Sequence, residues 1–286
     1  MGRRIGVATQ MRAKTRSVLA FRSALLAGAA VSVVRGFMRR RRREAGLRQR
    51  SEALSRANAE LQAFTSMASH ELQEPMRKIV AFGDLLRRHA GNLSDEGRQD
   101  LDRIQSAAHR MVALTEALLR YSRLGAHPLA FERLALGEVV SEALVDVDAR
   151  VSVTKARVET GTLPEVWGDE TQLRQLMVQL LTNAMKFQEA GARPEISISA
   201  SDAGSQCEVR IADNGIGFDA AHADRIFEPF GRLHPRARFE GAGMGLATAR
   251  RIAERHGGTL TAETRRGGGS VFVLRLPKSA PDGGPA

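Results

Sequence analysis

Three clusters in the second half of the chain bring together residue types that suit one kind of ligand. Residues 180–187 read LLTNAMKF late in a helical pattern, so Asn183 and Lys186, three positions apart, share a helix face. An amide oxygen is a ligand for a hard cation such as Mg²⁺, and an ammonium group pairs with phosphate. Residues 213–218 read DNGIGF directly after a strand-like run. An acid just past a strand accepts a hydrogen bond from an amino group, while Gly215 and Gly217 allow backbone to come close to a ligand. Residues 241–246 read GAGMGL and lead into a helical pattern. The first N–H groups of such a helix are an anion site. Between the last two clusters, Glu228–Glu240 mixes polar residues with turn formers, among them Phe230, Gly231, Arg232, His234 and Pro235, as a lid would. Singly, each cluster also fits an ordinary turn or helix end. Their order and spacing carry the signal.

The elements that must position these residues follow from periodicity. Leu47, Leu54, Leu61 and Ala68 recur every seven residues in a field of Arg, Glu, Gln and Asn, the pattern of a coiled-coil seam. The helix is expected to continue through His70 and Pro75 to about His89, because apolar spacing resumes at Met76, Ile79, Val80, Phe82, Leu85 and Leu86. Gly91–Asp95 reads as a stop followed by a new cap. A second helix, roughly Asp95–Leu124, carries the stripe Leu101, Ile104, Ala108, Met111, Leu114, Leu118 and Tyr121. Two such helices make an antiparallel hairpin that exposes too much apolar surface to stand alone, so a homodimeric four-helix bundle is expected. After Gly125–Pro128, β-like runs (151–153, 195–199, 207–212, 270–276) alternate with helical ones (136–147, 170–186, 244–256), the pattern of an α/β domain.

The 286 residues carry a net charge of +11, but 14 of the 43 Lys and Arg lie in residues 1–50 against a single acid, Glu44. The rest of the chain is slightly acidic, so its basic character says nothing about the body, and nucleic acid is not an expected partner. Aromatic residues make up 5% of the chain, too few for a base-stacking platform. Residues 17–34 are apolar except for Arg22 and precede the Arg39–Arg43 run. As a helix they would cover about 27 Å, just short of a bilayer core of roughly 30 Å. The segment fits either a membrane anchor or a peripheral leader attracted to an anionic membrane surface. The single cysteine, Cys207, forms no bridge within this chain, which fits a reducing compartment.

Taken together, the clusters resemble the sequence boxes of sensor histidine kinases. Asn183–Phe187 looks like the N box, Asp213–Phe218 the G1 box, Ile226–Phe230 the F box and Gly241–Leu246 the G2 box, while residues 267–272 (GGGSVF) resemble the last glycine box. Ser69–Pro75 (SHELQEP) resembles the phosphoacceptor H box, in a form similar to that of phytochrome-type kinases. The resemblance covers about residues 55–277. It implies a dimeric helical-hairpin phosphoacceptor domain followed by a Bergerat-type ATP-binding α/β sandwich, with the catalytic part in the cytoplasm. The boundaries read as follows: 1–43, the basic and apolar N-terminal segment; 44–66, the coiled-coil linker; 67–125, the dimerisation and phosphoacceptor domain; 130–277, the ATP-binding domain; and 278–286, a disordered tail.

Residue by residue, the resemblance implies that His70 takes the γ-phosphoryl group of ATP and that Glu71 orients or deprotonates its ring. It implies that Asn183 binds Mg²⁺, Lys186 pairs with phosphate and Asp213 reads the adenine amino group. Gly215 and Gly217 would shape the pocket floor, and Gly241, Gly243 and Gly245 the phosphate loop. The implied partner is a response-regulator receiver domain. Two positions depart from the common pattern. Gln179 stands where many relatives carry Asn, which keeps an amide with longer reach. Glu74 stands where many carry the Thr or Asn that positions water for dephosphorylating the partner, so strong phosphatase activity of that kind is not expected. The alternative is a nucleotide-binding dimeric scaffold that regulates another kinase without transferring phosphate.

Overall fold

A computed structural model describes residues 65–279 apart from positions 66, 70, 89–93, 126–127, 234–238, 240 and 266–267. The N-terminal segment, nearly all of the coiled-coil linker, His70 and residues 280–286 lie outside the described residues. No helix among the described residues is long and apolar enough to cross a membrane.

Helix α1, residues 71–88, runs through Pro75 without a break in helical backbone. Helix α2, Asp95–Arg123, begins where Ser94 caps it, its Oγ accepting from the Gly97 N–H at 3.1 Å. The helices interlock through Gln105, buried on α2, whose side chain lies where a Cβ on Gly83 would stand only 2.8 Å away. Gln105 Nε2 donates to Asp84 Oδ1 at 2.7 Å, and the Arg87 guanidinium donates to Gln105 Oε1 and Asp102. These pairings fix an antiparallel register. The expected α2 stripe is only partly buried. Leu101 and Ala108 are covered, whereas Ile104 is 54% and Met111 42% exposed.

The second domain is an α/β sandwich. A five-stranded mixed sheet, in the order β2 (Arg157–Thr160), β4 (Glu195–Ala203), β5 (Gln206–Asp213), β7 (Ser270–Pro277), β6 (Thr259–Thr264), is antiparallel except for the parallel pair β2–β4. A smaller antiparallel pair joins β1 (Glu132–Ala135) and β3 (Glu165–Gly168). Helices α3 (Leu136–Asp146), α5 (Glu170–Lys186) and α6 (Gly245–Arg255) form the layer that shares a core with the sheet. On α5, Leu173, Leu176, Met177, Leu180, Leu181, Ala184 and Met185 recur at three and four residues and are all buried. Each such large side chain contributes about 1.5–3 kcal/mol. That buried face leaves Asn183 and Lys186 on the helix's remaining surface.

One expected strand is absent. Residues 151–153 belong to helix α4 (Asp148–Thr154), which Lys155 ends in the left-handed conformation at φ 54°. The β-branched run is overridden because only Val151 reaches the core, while Val153 is 84% exposed. Strands β1, β2, β3 and β6 were not anticipated. Three of them are only four residues long, too short for an alternating pattern to stand out.

His256, to which the sequence assigned no role, is a buried tie between helices. Its Nε2 accepts from the Asp169 N–H at 3.0 Å, and its Nδ1 is 2.7 Å from the Ile252 carbonyl, to which it donates. Asp169 in turn caps α5 through Gln172 N at 3.0 Å and accepts from Ala130 N at 3.1 Å. Burial holds this imidazole below its usual pKa, outweighing the Ile252 carbonyl and Asp169, which pull the other way. The unfolded chain therefore takes up a proton that the fold refuses. The stability present above the usual imidazole pKa of about 6.5 is lost as pH falls toward the folded value. His256→Ala should cost about 1–3 kcal/mol at neutral pH through unpaired groups. It should also flatten the fall in unfolding midpoint between about pH 7 and about pH 5 that the wild type shows. Parallel pH profiles for the two proteins would contradict this account.

Candidate active site

A cavity of about 1250 Å³ opens between the end of α5, the start of α6 and one face of α2. Asn183, Lys186, Asp213, Gly217, Gly241, Gly243 and Gly245 all line it. The structure thus brings together seven of the ten residues singled out by the sequence. Gly215 lies just behind the wall, Glu71 is exposed on α1 away from the cavity lining, and His70 is outside the described residues.

Asp213 ends β5 and is 5% exposed. Its Oδ1 accepts from the Gly215 N–H at 2.8 Å and from the Ser270 N–H at 3.1 Å. Both bonds fall on one oxygen, and among the described residues Oδ2 accepts none. Burial raises the carboxyl pKa above its ordinary value, against the two backbone N–H groups and Arg265, which lower it. The glycines make this close approach possible. A Cβ on Gly215 would stand 2.3 Å from the Phe187 carbonyl oxygen, which accepts from the Ile216 N–H at 2.9 Å. Gly269, at φ 92°, would meet the Asp213 carbonyl oxygen at 2.0 Å. Gly217 packs its backbone against Gly269, so the two glycine boxes brace each other across the pocket floor.

Lys186 closes α5, its Nζ 4.6 Å above the Phe187 ring and 2.9 Å from where a Cβ on Gly241 would be. Helix α6 starts at Gly245 with no side-chain cap on its first N–H groups, which leaves them to an anion. A Cβ on Gly245 would meet Gln179 Oε1 at 2.6 Å, so the longer Gln179 side chain occupies space that this glycine leaves.

Several contributors were not singled out as site residues by the sequence. Between the last two clusters, the Phe239 ring packs on Phe187 at 5.0 Å between centroids, and the Arg232 guanidinium donates to the Phe239 and Gly241 carbonyls. Arg232 therefore ties Phe239 to the glycine loop. The opposite wall is a stripe of α2 containing Ser106, His109, Arg110, Ala113, Leu114 and Ala117. Regular i, i+3, i+4 spacing is the signal that finds it, once a second partner for α2 is considered. Lower on the same helix, Tyr121 faces α6, with the Arg251 guanidinium 4.9 Å from its ring. On α1, Glu74 pairs with Lys78 at 2.7 Å, which holds its carboxyl below the usual range.

The cavity is lined by Arg110, Arg120, Arg150, Lys186 and Arg232 against one carboxylate, Asp213. An acidic acceptor at one place and cations with free helix N–H groups at another suit a ligand with an amino-bearing ring and a chain of phosphates. Comparison with known proteins agrees. The family model of the His Kinase A (phospho-acceptor) domain matches residues 60–127, and that of the histidine kinase-, DNA gyrase B-, and HSP90-like ATPase matches residues 168–280. The chain belongs to the sensor histidine kinases. It is 34% identical over 232 residues to Cyanobacterial phytochrome A of Nostoc sp., which covers 81% of this chain and 30% of that protein. It is 31% identical over 264 residues to the Histidine protein kinase DivJ of Caulobacter vibrioides, covering 86% of this chain and 42% of that protein. The chain therefore spans less than half the length of these curated relatives. Among solved structures, full-length ShkA in complex with AMPPNP matches with a TM-score of 0.55 at 25% identity, covering 77% of this chain and 47% of that one.

The brace behind Asp213 has a direct consequence. Gly215→Ala should push the G1 turn off the Phe187 carbonyl, displace the carboxylate and weaken adenine-nucleotide binding by at least about tenfold, the scale of one lost charge-assisted bond. Calorimetric titration checks this, and wild-type affinity in that variant would show that the close approach is not required.

Proposed function

We propose that this kinase uses ATP to phosphorylate His70 and then passes the phosphoryl group to an aspartate of a response-regulator receiver domain. The reading is carried by one observation: Asn183, Lys186, Asp213 and the Gly241–Gly245 loop converge on a single basic cavity whose far wall is α2 of the phosphoacceptor hairpin. Asp213 Oδ2 accepts from the adenine amino group. Lys186 and the N–H groups at the start of α6 hold the phosphates, and Arg232 keeps the lid end against the glycine loop. An imidazole nitrogen of His70 attacks the γ-phosphorus, the bond to the β,γ-bridging oxygen breaks, and ADP leaves with that electron pair. The second ring nitrogen gives up its proton to Glu71 or to solvent.

The residues present fit an Mg²⁺ ion held largely by the nucleotide. Asn183 offers a neutral amide oxygen, and among the described residues no group of three His, Cys, Asp or Glu stands together. Asn183 would hold such an ion, which would supply charge neutralisation to the phosphate chain.

The active unit is a homodimer. Met67, Leu72, Phe82, Leu86 and Ile104 are each more than half exposed on one short hairpin, an apolar area that a second copy covers in a four-helix bundle. The basic N-terminal segment adds an attraction to anionic membrane surfaces. The experiment is incubation with γ-labelled ATP and Mg²⁺. The label should be acid-labile and base-stable, absent from His70→Gln, and transferable to a receiver domain. ATP binding without any label on the wild-type chain would favour a silent scaffold.

A further inference from the structure

We propose that Arg110 of helix α2 is a phosphate-binding residue that makes the site prefer ATP to ADP, an inference that rests on the nucleotide reading above. The cavity's α2 wall lies across from Lys186 and the Gly241–Gly245 loop, and it carries Arg110 on the same stripe as Ala113, Leu114 and Ala117. Some of the other lining cations are already held, while Arg150 of α4, like Arg110, has no ion pair or side-chain hydrogen bond among the described residues. Arg120 pairs with Glu116 at 3.7 Å, and Arg232 is engaged with the Phe239 and Gly241 carbonyls. His109 points its Nδ1 at the Gln105 carbonyl at 2.9 Å. Arg110 makes no ion pair or side-chain hydrogen bond among the described residues, although it lies on a helix whose Arg98 and Arg103 pair with Asp95 and Asp100.

Its place along the helix gives it a target. Tyr121 fixes α2 against Arg251 of α6. Arg110 and Gly245 line the same cavity, so a guanidinium on the α2 wall reaches the outermost phosphate of a chain bound at the uncapped start of α6. Guanidinium presents a planar fork to phosphate oxygens and needs no proton transfer to do so. The adenine and the inner phosphates are served by Asp213, Lys186 and the glycine loop. From the α2 wall, Arg110 meets the group that distinguishes ATP from ADP and acts there as an arginine finger does.

The test is titration of the full chain with ATP and with ADP, both with Mg²⁺, for wild type, Arg110→Gln, Arg110→Lys and Arg103→Gln. In Arg110→Gln, ATP affinity should fall about tenfold or more while ADP affinity changes less than about twofold, the difference expected of one charge-assisted contact. Arg110→Lys should fall between, and Arg103→Gln, on the helix but outside the cavity lining, should match wild type. Equal loss of ATP and ADP affinity, no loss of either, or the same effect from Arg103→Gln would overturn the assignment. A wild-type chain that binds neither nucleotide would instead overturn the nucleotide reading itself.

Discussion

One carboxylate oxygen carries the architecture of the site. Asp213 Oδ1 takes hydrogen bonds from Gly215 N and Ser270 N, and so joins the turn after β5 to the start of β7. With Oδ1 turned inward to backbone, the second oxygen is the one left for a ligand. Burial penalises the charged carboxyl, and the two N–H donors offset part of that penalty. Glycine is needed at 215 and 269 because backbone oxygens come within 2.3 Å and 2.0 Å of where a Cβ would be. The glycine boxes are thus the sequence record of a carboxylate gripped from behind.

The rest of the fold sets walls around that grip. The buried face of α5 commits the opposite face, with Asn183 and Lys186, to the cavity. Neutral His256 ties the end of α6 to the start of α5, which keeps the two helices that border the cavity in fixed relation. Helix α2 belongs to the hairpin but closes the cavity, through a stripe ending at Tyr121 against Arg251. The hairpin and the glycine boxes therefore border one cavity.

What the sequence revealed and what it hid divide by range. The glycine boxes, Asn183, Lys186 and Asp213 were legible because each is a short run whose residue types state their own constraint. The hairpin was legible from its periodicity and from the cap at Ser94. Contacts between distant segments were not. Nothing local marks His256 as the partner of Asp169, Phe239 as the partner of Phe187, or the Arg110 face of α2 as a cavity wall. Residues 151–153 misled for a related reason, since tertiary packing of Val151 decided a segment whose side chains favour a strand. Ile104 and Met111 show the converse: their spacing is helical and apolar, yet a single chain leaves them uncovered.

The central claim, that Asp213 offers its second oxygen to an adenine amino group, is tested most directly by comparing ATP with purine riboside triphosphate, which lacks only that amino group. One charge-assisted hydrogen bond of about 1.5–3 kcal/mol predicts roughly ten- to a hundredfold weaker binding of the analogue. Asp213→Asn should remove most of the difference. Equal affinity of the wild type for both nucleotides would contradict the account.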